Sequence, residues 1–343
     1  KAVSVDGEVL DAGVAKEPLP RDSEARTVIA RRLIAERCLY GVDLNPLAVE
    51  LAKLSIWLVT LAKGRPFGFL DHNLRCGDSL LGIHRLEQLV ELAMSPSGKR
   101  QQNLFGQNIE RAVREAIELR QQLREMPIRD IRDVETMAHL DTDARRTLEV
   151  PESIANTFIG EVFASGGNGT AFEGAMVSLS VQAGQAIDGD RDVLASIRRR
   201  SISALSTDLP ADKSARRPFH WPLEFPEVFA RERSGFDCIV GNPPFSGGRW
   251  IGRRFGQSYQ EYLKLIRNGV VGSPDLCVYF FLRAFSLLGS NGGFGLLATK
   301  SITETGSRVV CLDQITEMGG TVYRGCSRMV WPGNAAVVVS IAW

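Results

Sequence analysis

Residues 237–241, Asp-Cys-Ile-Val-Gly, form a short apolar run that empties into Asn242-Pro243-Pro244-Phe245. Two consecutive prolines fix φ near about −65° twice and delete two backbone donors, so neither a helix nor a continuing central strand passes through them. The run before them reads as a buried strand of a layered α/β protein. A rigid element directly after such a strand lies at the carboxyl edge of the sheet, where α/β folds bind ligands. No other feature of the 343 residues restricts the fold so tightly.

The chain upstream has the same logic. Residues 1–20 read as a loop and 21–37 as a charged helix. Cys38-Leu39-Tyr40-Gly41-Val42 reads as a short buried strand ending at Asp43. Asn45-Pro46 supplies an N-cap and a first-turn proline. Leu47, Leu51, Leu54, Leu58 and Leu61 then recur at amphipathic helical spacing, up to Gly64 and Pro66. A second strand, 73–77, ends at Asp78. Strand, helix, strand with an acid at each strand's end is an α/β open sheet. From 85 to 234 the pattern changes to long charged helices, expected over 108–125, 142–163 and 171–205, with Gly166-Gly167-Asn168-Gly169 as a break. Sheet logic returns at Phe236. A helix over 275–288, a strand over 294–298, and two β-rich runs, 321–330 and 335–342, complete the chain. The turn Trp331-Pro332-Gly333-Asn334 makes the last two a hairpin.

Composition narrows the class. The chain is 44% hydrophobic and 24% charged, an ordinary globular balance that excludes disordered and collagen-like proteins. A net charge of +1 supplies no global basic field for nucleic acid. Six cysteines without a C-x-x-C pair, most of them in apolar or strand-like contexts, fit a reduced, cytoplasmic setting. The four scattered histidines give no metal-ligand spacing. Glu50 and Lys53 interrupt the most apolar helix, 46–63, so it is not read as a membrane span.

The carbonyls of Asn242 and Pro243, with the Asn242 side-chain amide, can form a cluster of acceptors. Acceptors that hold both hydrogens of an exocyclic amine draw its lone pair out of conjugation, and the nitrogen can then attack an electrophilic methyl group. A base presented this way must leave the duplex, and the flat face of Phe245 can hold it. The plain alternative is a Pro-Pro turn before a core phenylalanine. After this loop, Arg249, Arg253, Arg254, Lys264 and Arg267 face one acid, Glu261, with Trp250, Phe255, Tyr259 and Tyr262 interleaved. Phosphate neutralisation uses such a patch, although a solvated basic loop has the same composition. Lys300, after the strand 294–298, is a further candidate for the substrate side, and Asp275 and Tyr279 are candidates for the cofactor side.

V-G-N-P-P-F resembles motif IV of the amino-methylating DNA methyltransferases, which use S-adenosylmethionine. L-Y-G-V-D-L-N-P-L-A-V-E-L-A-K-L-S-I-W-L is similar to motif II with its helix, and L-R-C-G-D-S-L-L-G to motif III. H-W-P-L-E-F-P-E-V-F recurs in one branch, the large N6-adenine methylases of type IIG restriction-modification and phage-defence systems. The G-G-x-G-L-L-A-T-K stretch and the W-P-G hairpin fit the later motifs. The resemblance covers about residues 35–84 and 220–343.

It implies a Rossmann-like class I methyltransferase sheet divided into core segments 1–84 and 235–343 around a helical insert, 85–234. It also implies catalytic Asn242, Pro243, Pro244 and Phe245, with the cofactor held by Asp43, Leu44, Asp78, Ser79, Leu80 and Asn242. An acid at the tip of the second strand is where such folds hold ribose hydroxyls, and Asp78 could accept from the adenine amino group; the alternative for each acid is a helix N-cap. The DNA side falls to Arg249, Arg253, Arg254, Lys264 and Lys300. Double-stranded DNA is the expected partner, with a fused or associated nuclease and target-recognition domain. The family's F-x-G-x-G strand is not found before Asp43, so the chain is expected to begin after that motif and to be inactive alone. No Pro-Cys pair supplies a cytosine-C5 nucleophile. Methylation of a protein glutamine or an RNA base, and a non-catalytic DNA-recognition or assembly subunit, are the remaining alternatives.

Overall fold

A computed structural model describes residues 3–7, 9, 18–61, 68–96, 104–128, 130–330 and 338–342. In chain order its elements are α1 (Ser23–Arg37), β1 (Gly41–Asp43), α2 (Pro46–Thr60), β2 (Leu74–Cys76), α3 (Leu86–Val90), α4 (Leu104–Glu125), α5 (Ile131–Ser165), α6 (Gly169–Ile187), α7 (Arg191–Leu205), α8 (Trp221–Glu224), α9 (Pro226–Phe229), β3 (Phe236–Gly241), α10 (Gly248–Phe255), α11 (Gln257–Ile266), α12 (Leu276–Leu287), β4 (Leu288–Thr299), β5 (Gly325–Val330) and β6 (Val338–Ala342). Short helical turns lie between β4 and β5. The molecule is a mixed α/β protein with small sheets and many helices. Among the described residues no helix is long and apolar enough to cross a membrane. The chain divides into two compact units: Lys1–Ser79 with Glu110–Glu149, and Leu80–Ile109 with Val150–Trp343. The stretch 85–234 therefore supplies residues to both.

In the first unit, β1 and β2 pair in parallel, with Gly41 opposite Leu74 and Asp43 opposite Cys76, and α2 connects them. The Asn45 side chain caps α2 by accepting from the Leu47 N–H at 3.0 Å, and Pro46 fills the first helical position. The expected terminators Gly64 and Pro66 lie outside the described residues. The leucine face does not point inward as its spacing suggests: Leu47, Leu51, Leu54, Leu58 and Leu61 are 49–64% exposed. Val49, Ala52 and Ile56 pack instead against Leu70 and Leu74. The helix is apolar on two faces, and a two-stranded sheet is too narrow to cover both. For a similar reason the strand expected over 38–42 is short and not buried. It spans Gly41–Asp43, with Cys38 exposed and Leu39 43% exposed.

Behind β2, Arg75 and Asp141 form an ion pair at 2.9 Å whose side chains are 5% and 6% exposed. Arg145 Nε donates to the second Asp141 oxygen, also at 2.9 Å, and Arg120 donates to the His72 carbonyl at 2.7 Å. The Arg145 bond gives the buried Asp141 carboxylate a second cationic partner, which offsets part of the cost of removing it from water. A separate apolar cluster joins Phe69, Leu123, Ile128 and Met137.

The second unit holds a four-stranded sheet in the order β3-β4-β6-β5. β3 and β4 are parallel, and β6 runs antiparallel to both neighbours. The expected terminal hairpin forms, with Met329 opposite Val339 and Val330 opposite Val338; its turn, 331–334, lies outside the described residues. The expected strand 294–298 is the end of the longer β4. The motif strand does not meet the expectation of burial. β3 is a terminal strand of its sheet, Cys238 is exposed and Val240 is 78% exposed.

Helix α12 is the centre of this unit's core. Cys277, Val278, Phe281 and Leu282 pack with Leu296 and Ala298 of β4 and with Val310, Cys311 and Ile315. The helix expected over 171–205 is two helices, because Gly189 takes φ +102° and Asp190 starts α7 by accepting from the Asp192 and Val193 N–H groups. A positive φ of this kind is open to glycine and strained for other residues.

Candidate functional site

The first unit brings Asp43 and Asp78 to one edge. β1 and β2 are parallel and in register, so Asp43, the last residue of β1, and Asp78, two residues past β2, lie at the carboxyl ends of neighbouring strands. The Gly77 N–H donates to the Asp43 carbonyl at 3.0 Å, which ties the two strand ends together. Asp43 is exposed, and its Oδ1 accepts from the Asn45 N–H at 2.7 Å. Asn45, not Asp43, is the cap of α2, so the simple capping alternative for Asp43 does not hold. Leu44 is 60% exposed beside it, and its carbonyl accepts from the Cys76 thiol at 3.5 Å. Asp78 and Ser79 are half-buried.

Leu80 differs from its neighbours. It belongs to the second unit, its side chain is 1% exposed, and its carbonyl accepts from Arg283 Nη2 at 2.8 Å. The residues after it are held as firmly. The Phe219 N–H donates to the Leu81 carbonyl at 2.7 Å and the Trp221 N–H to the Ile83 carbonyl at 3.1 Å. Tyr262 Oη accepts from the Gly82 N–H at 3.1 Å and donates to the Gly82 carbonyl at 3.3 Å. Gly82 has φ +139°, and a Cβ there would stand 2.2 Å from the Phe219 carbonyl oxygen, so glycine is required.

The run 220–229 is thus a structural anchor. Phe219, Trp221, Phe225, Phe229 and Phe236 form edge-on and tilted ring contacts at 4.9–6.2 Å. His220 accepts from the Ile83 N–H at Nδ1 (3.4 Å), and its Nε2 meets Asn156 Oδ1 at 3.2 Å. Burial pushes its pKa down to about 3. Sequence reasoning found the motif without its role. A dense aromatic spacing after a long insert was the available signal.

In the second unit the Asn242–Phe245 loop leaves the carboxyl end of β3. Asn242 and Pro244 are exposed, Pro243 is buried and Phe245 is half-buried against the α12 core. Lys300 is exposed after the carboxyl end of β4, the strand parallel to β3. It shares a cavity of about 390 Å³ with Gly247, Gly248, Asp275 and Thr299. Tyr279, proposed above for the cofactor side, is 3% exposed, and burial raises its pKa.

The basic patch is smaller than its sequence. Arg249, Arg253 and Arg254 are exposed on α10, and Arg253 lies 5.6 Å from the centre of the exposed Trp250 ring. Lys264 pairs with Glu261, and Arg267 is 7% exposed and donates to the Gly272 carbonyl. Tyr259 and Tyr262 are core residues, 5% and 1% exposed. One face of α11 packs inward, and residue type alone did not identify which.

Residues 37–314 match the family model of the Eco57I restriction-modification methylase. A Methanocaldococcus jannaschii protein named as a type II restriction enzyme and methyltransferase is 24% identical over 295 residues, which cover 77% of this chain and 22% of that protein. The chain therefore spans less than a quarter of the length of this curated relative. No solved structure matches it.

Proposed function

The chain belongs to the Eco57I restriction-modification methylase family, and from that premise we propose that it carries the methyl-transfer part of a DNA methyltransferase. The acceptor is the N6 amino group of an adenine flipped out of duplex DNA, within a restriction-modification or phage-defence enzyme that includes nuclease and target-recognition parts. The observation that carries this reading is the exposed Asn242 before a buried Pro243, at the carboxyl end of a strand.

S-adenosylmethionine, when bound, supplies an electrophilic methyl group. Asp43 suits its ribose: the carboxylate is exposed at a strand tip, and among the described residues its one hydrogen bond is from the Asn45 N–H to Oδ1. Asp78 would accept from the cofactor's adenine, with Leu44 and Ser79 beside these acids and Leu80 next in the chain. Asn242 Oδ1 and the neighbouring backbone carbonyl accept the two amine hydrogens. This localises the lone pair on the nitrogen. Pro243 and Pro244 restrict the loop to one conformation, so little reorganisation accompanies the reaction. Phe245, held from behind by the core, offers its face to the base. Arg249, Arg253 and Arg254, with Lys264 and Lys300 at the margins, neutralise phosphates. A Rossmann-like class I sheet is supported by the parallel β1–α2–β2 unit and by acids and loop lying at carboxyl strand ends.

The test is methyl transfer from labelled S-adenosylmethionine to duplex DNA by the complete gene product, followed by nucleoside analysis. N6-methyladenine is expected, and Asn242→Ala is expected to lower kcat about 100-fold or more while the protein stays folded. Label in cytosine, RNA or protein glutamine instead of adenine overturns the reading, as does an Asn242→Ala enzyme of normal rate.

A further inference from the structure

Two of the four residues in the Asn242–Phe245 loop are prolines, which have no N–H to donate. Its orientation must be set from outside. Phe245 is packed against the α12 core on one side. The next residue, Ser246, has both backbone groups taken by the start of α12: its N–H donates to Asp275 Oδ1 at 3.2 Å, and its carbonyl accepts from the Leu276 N–H at 2.8 Å. The same Asp275 oxygen accepts from the Cys277 N–H at 3.1 Å, which caps α12. Asp275 is 9% exposed, so a carboxylate is held almost out of water with one oxygen committed to two separate segments. Gly248 closes the clamp: a Cβ there would lie 2.3 Å from the Ser273 carbonyl oxygen, so residues 247–248 sit directly on the backbone before α12.

We propose that Asp275 is a positioning residue for methyl transfer, which locks the Asn242–Phe245 loop to the N-terminus of α12. This rests on the reading of the loop given above and adds what fixes it. Asp275 contacts neither reactant in this role. It ties the loop's C-terminal end, at Ser246, to the start of α12, and so holds Asn242 and the adjoining carbonyl in a fixed direction.

Two substitutions separate this role from helix capping. Asp275→Asn keeps an oxygen acceptor at the same reach. Asp275→Ser keeps a good N-cap for α12 but is too short for Ser246. Amide hydrogen exchange over residues 242–247 and over α12 is read in the complete protein, together with kcat and KM. Asp275→Ser is expected to exchange at least about 10-fold faster in 242–247 with α12 protection kept, and to lose about 10- to 100-fold in kcat with KM for S-adenosylmethionine within about twofold, as for loss of a hydrogen bond to a charged group. Asp275→Asn is expected to restore both. Wild-type exchange over 242–247 in Asp275→Ser overturns the proposal, as does protection lost equally along α12. The exchange result decides the role of Asp275 even for a protein that methylates something other than DNA.

Discussion

His220 offers a quantitative check on the anchor behind Leu81–Ile83. Its Nδ1 accepts from the Ile83 N–H, so the proton sits on Nε2 and points to Asn156 Oδ1. A second proton on Nδ1 would face the Ile83 N–H donor to donor, in a site only 2% exposed. The pKa is accordingly pushed down from 6.5 to about 3. The unfolded chain takes up this proton below about pH 6.5 and the native protein does not until near pH 3, so stability is complete above pH 6.5 and lost as pH falls through that window. The slope is about 1.4 kcal/mol per pH unit, and about 2 kcal/mol goes between pH 7 and pH 5. Urea unfolding of the wild type and His220→Asn at both pH values isolates this contribution, because Asn keeps an acceptor for Ile83 and does not titrate. The wild type should lose about 2 kcal/mol more than the variant over the interval. Equal losses in the two proteins, or a His220 ring resonance that titrates near pH 6.5, would refute the argument.

Gly82→Ala should destabilise by about 3 kcal/mol or more, since the backbone conformation and the Phe219 carbonyl both reject a Cβ; thermal melting measures it, and a change below about 1 kcal/mol contradicts the described packing. Arg249→Ala, Arg253→Ala and Arg254→Ala should each flatten the salt dependence of DNA affinity, by about 0.9 in log–log slope for each phosphate that is no longer neutralised. A triple variant with the wild-type slope would remove α10 from the proposed DNA surface. A thiol reagent at neutral pH should label Cys38, Cys238 and Cys326 and spare Cys277 and Cys311, whose thiols burial pushes up, to about 12 for Cys277. Rapid labelling of Cys277 in the native protein would show that the α12 core opens.

The parts of the fold written in local chemistry were legible from the chain. Asn45-Pro46 starts α2, an acid stands at or just past the end of each short strand, and Pro243-Pro244 ends β3 where expected. Periodicity was a weaker guide, because it tells which residues share a face and not which face finds a partner. In α2 the leucines are the exposed face, and in α11 Tyr259 and Tyr262 turn inward while Lys264 stays out with Glu261. Long-range ties had no local signal at all. Arg283 reaches the Leu80 carbonyl and Tyr262 both polar groups of Gly82, across about 200 and 180 residues of sequence.

Those ties hold two segments of the second unit that have little regular structure of their own. The segment after Ser79 is gripped by Phe219, Trp221, Tyr262 and Arg283, and the loop after β3 by Asp275. Arg283 and Asp275 both belong to α12 or its cap, a helix most of whose residues are buried. A substitution that shifts α12 along its axis therefore disturbs Leu80 and Ser246 together, and its effect on kcat should exceed what either tie contributes alone. Additivity is expected only for sites that share no partner. Arg283 and Asp275 hold different partners, Leu80 and Ser246, so the double variant Arg283→Met, Asp275→Ser should approach the product of the single effects, and a clear departure from multiplicativity in kcat would show that α12 moves as one body.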